Sequence, residues 1–183
     1  MHPELLLLIG ISFSLGFTPG PNNAVASFSG FNFGIKKTIP LILGVGFGYT
    51  ILVILINFVL ISTFKKYPMI QEVIRILGTF FLLYLAYKIS FSVTSSATKS
   101  VNPVNFFDTF LFQFINPKGV MAAITLISNF VREEDYLSSS LTVIIVCSLT
   151  AFLSITCWSF LGKFLRKFAT NNSFIKRFNY AMS

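Results

Sequence analysis

Thr18-Pro19-Gly20-Pro21-Asn22-Asn23 lies inside a run, residues 5–35, that carries no Asp, Glu, Lys or Arg. Such a run belongs at membrane depth, since about 20 consecutive apolar residues cross a bilayer as helix. Two prolines flanking a glycine cannot continue that helix, because each lacks an N–H and clashes with the turn before it. In hydrocarbon the freed backbone groups are tolerated only where they face protein or a water-filled cavity. A second break, Asn116-Pro117-Lys118-Gly119, interrupts another apolar stretch. Interrupted segments at corresponding places in two halves of a chain point to a transporter's substrate site.

The composition agrees. Of 183 residues, 54% are hydrophobic and 11% charged, against about 25% charged in soluble domains. Mean hydropathy is +0.78, and residues 38–64 and 136–162 are further runs without a charged side chain. The fold class is therefore all-α, a polytopic membrane protein. A net charge of +8 would suggest nucleic acid in a soluble protein. Here the basic residues fall mostly between spans, where they orient the chain and meet anionic membrane lipid, so no nucleic-acid partner is expected. Cys147 and Cys157 share one apolar run and form no disulfide framework. The one histidine, His2, is terminal, and no cluster resembles a metal site. No metal, cofactor or catalytic residue is assigned, and the chain does not read as an enzyme.

Residues 5–17 lack the basic flank and cleavage site of a signal peptide and form the first half of span one. The second half covers 23–31, with Gly30 and Gly34 marking its end and the turn, and Lys36 and Lys37 make the first loop. Span two covers 38–63. Its Gly44-Val45-Gly46-Phe47-Gly48 lacks the spacing and preceding strand of a nucleotide-binding loop. Gly44 and Gly48, four apart, instead form a small-residue face for close helix packing. Lys65, Lys66 and Pro68 make the second loop, and span three covers 70–91. There Glu72 and Arg75 form an interfacial pair and Lys88 snorkels. Span four, 106–130, begins with Asp108 and breaks at Asn116-Pro117. Arg132-Glu133-Glu134-Asp135 reads as a solvated loop, and span five covers 141–164. Beyond it, Lys163, Arg166, Lys167, Lys176 and Arg177 alternate with apolar residues as a basic amphipathic segment on the membrane surface.

The polar stretch 92–105 divides the chain into a first membrane repeat, 1–91, and a second, 106–183. Spans then fall as broken, whole, whole, followed by broken, whole. A three-helix repeat has an odd number of crossings, so its second copy must enter from the opposite face. The expectation is an inverted repeat of five spans, first and fourth broken, with the last helix of the second copy missing. A helix from another subunit, or a homodimer, can fill the groove left there. Lys36, Lys37, Lys88, Lys99, Lys163, Arg166, Lys167, Lys176 and Arg177 fall on one side of the membrane; Lys65, Lys66, Arg75 and Arg132 fall on the other. The richer side is expected to be cytoplasmic, with the N-terminus outside.

Both breaks carry binding chemistry. Asn116 suits a helix cap and Pro117 the first helical position, where an N–H is not needed. The helix that follows then presents the N–H groups of Lys118, Gly119 and Val120 to a cavity. Asn22, after Pro21, is expected to do the same for Asn23, Ala24 and Val25. Such ends attract carboxylates. Lys118 adds a full charge near mid-bilayer, which costs at least about 2.5 kcal/mol on insertion scales and marks a functional site by default. The bland alternative is a lysine paired with a helix-end carbonyl or snorkelling outward. Thr18 and Gln113 add neutral hydrogen-bonding groups, whose bland alternative is helix–helix bonding worth about 0.6 kcal/mol each. The substrate-binding set is Thr18, Asn22, Asn23, Gln113, Asn116 and Lys118; Pro19, Gly20, Pro21, Pro117 and Gly119 make the breaks.

At these residues the chain resembles LysE-type amino-acid exporters. Thr18-Pro19-Gly20-Pro21-Asn22-Asn23, Ser29-Gly30-Phe31-Asn32-Phe33-Gly34 and Gly44-Val45-Gly46-Phe47-Gly48 look like their front half. Leu83-Tyr84-Leu85-Ala86-Tyr87-Lys88 and Phe112-Gln113-Phe114-Ile115-Asn116-Pro117-Lys118 match later signatures. The resemblance implies a multi-pass bacterial inner-membrane exporter of amino acids or related metabolites, driven by the proton gradient. Such proteins usually continue into a sixth span past the segment resembling Phe178-Asn179-Tyr180-Ala181-Met182. One rival is a non-transporting membrane protein or truncated remnant. Another is a transmembrane thiol-redox carrier, which needs a cysteine at each break; Asn22, Asn23 and Asn116 stand there instead. With no acid near the breaks to meet a basic side chain, a neutral substrate is expected.

Overall fold

A computed structural model describes residues 3–60, 69, 76 and 103–168. Span three, the Glu72–Arg75 pair, most of the linker and the tail from residue 169 lie outside the described residues. Every described element is helical: α1 (Pro3–Phe17), α2 (Pro21–Phe33), α3 (Ile35–Leu55), α4 (Phe106–Ile115), α5 (Pro117–Phe130) and α6 (Tyr136–Arg166). A π-helical turn, Ile56–Leu60, extends α3. Two helical stretches, Ile35–Phe58 and Tyr136–Arg166, are long and apolar enough to cross a membrane. The pairs α1–α2 and α4–α5 pass the same test jointly, bent by 58° and 59° at their breaks. The chain is a multi-pass helical membrane protein, and both bent pairs are broken where proline removes the backbone donor.

Direction follows from contacts at the helix ends. Arg132, just beyond α5, bonds Glu4 at the start of α1 at 3.0 Å, while Lys118 in the first turn of α5 reaches Thr18 at the end of α1. The two broken spans therefore run antiparallel. So do α3 and α6: Tyr136 donates to the Asn57 carbonyl at 3.0 Å, Thr50 to the Ser148 hydroxyl at 2.9 Å, and Phe47 meets Phe152 edge to face.

Glycine sets how closely the helices approach. Gly44 of α3 faces Phe106 and Thr109 of α4, and Gly48 faces Phe110 and Gln113, which is the close packing expected of that pair. Gly30 does not end a helix. It lies within α2, where a Cβ would overlap the Ser159 carbonyl of α6, just as one at Gly162 would overlap the Ser27 carbonyl. Only Gly34, at φ +74°, makes the turn into α3. α6 starts at Tyr136, five residues before the expected start of span five. The loop at 132–135 is exposed throughout, as expected of a solvated charged stretch; within it Arg132 meets Asp135 at 3.6 Å, a pair worth at most about 1 kcal/mol because both partners are half exposed.

Buried side chains form two clusters. Leu8, Leu52, Val53, Ile56, Val120, Leu126, Ile127, Val143 and Cys147 belong to one. Val25, Ala26, Phe28, Leu41, Val45 and Ile155 belong to the other. Large apolar side chains such as Leu6, Phe13, Phe47, Leu111, Leu149 and Phe160 point outward, as lipid-facing positions should. Lipid is as apolar as these clusters, so packing and hydrogen bonds hold the helices together.

Candidate functional site

The two breaks meet. Between them lies a cavity of about 70 Å³ whose lining draws on α1, α2, α3, α5 and α6 and on members of both apolar clusters. The cavity thus sits between the two apolar clusters, at the level of the interrupted backbone.

The end of α1 leaves carbonyls without intrahelical partners, and side chains satisfy them one by one. Thr18 Oγ1 donates to the Leu15 carbonyl at 2.9 Å. Asn23 Nδ2 donates to Gly16 at 2.9 Å and to Thr18 at 2.8 Å. Ser154 Oγ of α6 also donates to Gly16, at 2.8 Å. Lys118 Nζ donates to the Thr18 carbonyl and, at 3.4 Å, to that of Pro19. A cation among carbonyls at a helix C-terminus is where the helix dipole favours it. The partner anticipated as the bland alternative for Lys118, a helix-end carbonyl, is the one it has in this structure.

At the second break, Asn116 caps α5. Its Oδ1 accepts from the Lys118 N–H at 3.2 Å, its carbonyl accepts from Val120 at 3.0 Å, and Pro117 takes the first position. Two of the three N–H groups expected to be offered to the cavity are thus already held by Asn116. Asn22 does not cap α2, whose N-cap is Gly20 without a side-chain bond. Instead, Asn22 Nδ2 donates to Gln113 Oε1 at 2.8 Å, and Gln113 Nε2 returns a bond to Asn22 Oδ1 at 3.1 Å and another to the Thr109 carbonyl at 2.8 Å.

Of the expected binding residues, Asn22, Asn23, Asn116 and Lys118 line the cavity, with Gly20, Pro21 and Gly119 of the breaks. Gln113 is fully buried and is not among the lining residues; its amide serves to tie α4 to α2. Thr18 is not among the lining residues either; its carbonyl holds Lys118 Nζ while its hydroxyl bonds the Leu15 carbonyl. Sequence reasoning missed the walls: Ser12, Tyr49, Cys147, Thr150 and Ser154. Cys147, Thr150, Ala151 and Ser154 recur at helical spacing as small side chains along an otherwise bulky span, the one signal that could have marked that face. Tyr49 stands over the start of α5, its ring 3.5 Å from where a Cβ on Gly119 would lie. Its hydroxyl makes no hydrogen bond to any described residue. Neither cysteine lies at a break; Cys147 is buried and Cys157 exposed.

The sequence profile of the LysE type translocators matches residues 13–182. The chain belongs to the LysE type translocator family. Among curated proteins it is similar to the cysteine/O-acetylserine efflux protein of Klebsiella pneumoniae, 29% identical over 154 residues that cover 82% of this chain and 77% of the relative. The proteins of the same name from Salmonella typhimurium and Escherichia coli are 28% and 26% identical over 151 residues, with the same coverage of each chain. No solved structure matches. Membership points to a transporter rather than an enzyme.

Proposed function

We propose that this chain exports small neutral amino acids across the bacterial cytoplasmic membrane, with the substrate bound in the cavity between the two breaks. The observation that carries the reading is the convergence of both interrupted helices on one cavity, where Asn22, Asn23, Asn116 and Lys118 stand in a largely apolar lining. Its 70 Å³ gives roughly five water-sized positions at about 10–15 Å³ each, the scale of a small amino acid. In this reading Asn23 and Asn116 fix the geometry of the two helix ends. Asn22 reaches the substrate from the rim, and Lys118 supplies the charge that meets its carboxylate. The names of the relatives make cysteine and O-acetylserine the first candidates. Residues 1–91 and 106–183 act as the two inverted repeats, joined by 92–105, and export is coupled to the proton gradient.

Efflux of labelled serine, cysteine, O-acetylserine, threonine, leucine and lysine from cells with and without the chain tests the reading, with membrane vesicles repeating it with and without a pH gradient. Faster efflux of the small neutral members, lost in Lys118→Met at equal expression, is the expected result. Equal efflux of all six with and without the chain defeats it.

A further inference from the structure

We infer that the carbonyls of Thr18 and Pro19 form a subsite for the substrate's α-ammonium, and that Lys118 occupies it with its own ammonium until substrate arrives. The inference rests on the proposed export of amino acids and concerns how the same cavity reads them.

Lys118 Nζ is a primary ammonium held by exposed carbonyls at the C-terminal end of α1. An amino acid carries the same group, so the lysine is a tethered stand-in for half of a zwitterion. Carbonyl ends of interrupted helices hold cations in transporters, while helix N-termini hold the substrate's carboxylate. Here both kinds of end meet: the carbonyls of α1 lie opposite the start of α5, where Asn116 and Pro117 begin the next helix. Room for the ammonium is built in at Gly20. Its φ of −173° and ψ of 177° are open to any residue, so backbone freedom does not require glycine there. The lysine's flexible end packs directly against it: a Cβ on Gly20 would stand 2.8 Å from Lys118 Cδ and 2.9 Å from Nζ, so the side chain would have to shift to make room. Asn23 holds the Thr18 carbonyl from the other side at 2.8 Å, which fixes the acceptor in place.

An exchange follows. When an amino acid enters, its ammonium replaces Nζ on the two carbonyls, and the released Lys118 turns to the carboxylate. Each charge keeps a partner before and after, so the swap leaves no buried ion unpaired. Ligands with an ammonium but no carboxylate can only compete with Lys118 and gain no new partner for it. Ligands with a carboxylate but no ammonium displace nothing.

Binding of L-cysteine, N-acetyl-L-cysteine and cysteamine to the purified full chain, kept reduced, separates these cases because only the charged ends differ. N-acetyl-L-cysteine should bind roughly 10- to 150-fold more weakly than L-cysteine, the range for one hydrogen-bonded charge. Cysteamine should bind wild type weakly and gain about tenfold or more in Lys118→Met, while L-cysteine loses affinity. Lys118→Gln removes the charge with a polar side chain and should show the same gain if Lys118→Met does not fold. Tight binding of N-acetyl-L-cysteine, or cysteamine affinity unchanged or lowered in both variants, overturns the subsite while leaving amino-acid export standing. Failure of wild type to bind L-cysteine at all overturns the substrate reading and the subsite with it.

Discussion

Asn22 and Gln113 exchange two hydrogen bonds, 2.8 and 3.1 Å long, across 91 residues of sequence. Each carboxamide satisfies the other, with Gln113 fully buried and Asn22 half-buried, so the pair fastens the start of α2 to α4 beside the cavity. Removing one partner strands a buried amide at a cost of about 1–3 kcal/mol, whereas replacing both with apolar groups can be nearly neutral. Gln113→Leu and Asn22→Leu should each lower the unfolding temperature in detergent, and the double variant should fall short of their sum by about 0.5 kcal/mol or more. Strictly additive losses in that cycle would show the pair to be uncoupled.

The α2–α6 crossing is tighter than any cavity wall. Because the obstacle at Gly30 and Gly162 is a backbone carbonyl, no side-chain rotation relieves an added methyl, and overpacking typically costs about 1–3 kcal/mol or more. Gly30→Ala and Gly162→Ala should each reduce the folded fraction by size-exclusion chromatography and lower thermal stability. Gly10 of α1 has nothing within 4 Å of its would-be Cβ, so Gly10→Ala should be neutral or gain up to about 1 kcal/mol from helix propensity. Equal behaviour of all three variants would contradict the crossing.

The ends of the bundle carry different charge. Lys36 and Lys37 start α3, Lys163 and Arg166 end α6, and Arg166 ties the two regions by donating to the Asn32 carbonyl at 3.0 Å. At the other end Arg132 sits among Glu4 and Asp135. Positive residues favour the cytoplasm, so a membrane-impermeant thiol reagent should label Glu133→Cys in intact cells, in a background without native cysteines. Lys37→Cys should react only after permeabilisation. Labelling of both from one face would contradict the antiparallel relation of α3 and α6; labelling with the faces exchanged would reverse the orientation alone.

Much of this was legible in the sequence because proline and glycine act locally. Pro19, Pro21 and Pro117 break helices wherever they fall, so both breaks, the opposite directions of the broken pairs and the Gly44–Gly48 packing face could be read without tertiary knowledge. What could not be read depends on which helix faces which. Asn22 looks like a cap by position, yet Gln113 lies within reach and claims its side chain. Gly30 looks like a terminator, yet α6 crosses α2 there. Lys118 was recognisable as costly and central, but its carbonyl partners lie 99 and 100 residues away. Tyr49, Ser12 and Cys147 gave no local signal, since a cavity wall is defined by the space it faces.

Tyr49 gives the sharpest separation of binding from folding. It lines the cavity beside Lys118 and Gly119, and its hydroxyl has no hydrogen-bond partner among the described residues. A phenol in an apolar bundle normally finds a partner; here the cavity is where one would come from. Tyr49→Phe keeps the ring over the start of α5 and removes only the hydroxyl, so the packing against Gly119 persists and no hydrogen bond to a described residue is broken. Thermal stability of the substrate-free protein should therefore stay within about 0.5 kcal/mol of wild type. If the hydroxyl donates to the substrate's carboxylate, affinity for L-cysteine should drop roughly 10- to 150-fold, the worth of one hydrogen bond to a charged group. A contact with a neutral group should give roughly 2- to 13-fold instead. Measuring stability and L-cysteine binding on the same preparation separates the outcomes: lost stability makes Tyr49 a structural residue, and unchanged affinity removes it from the binding site.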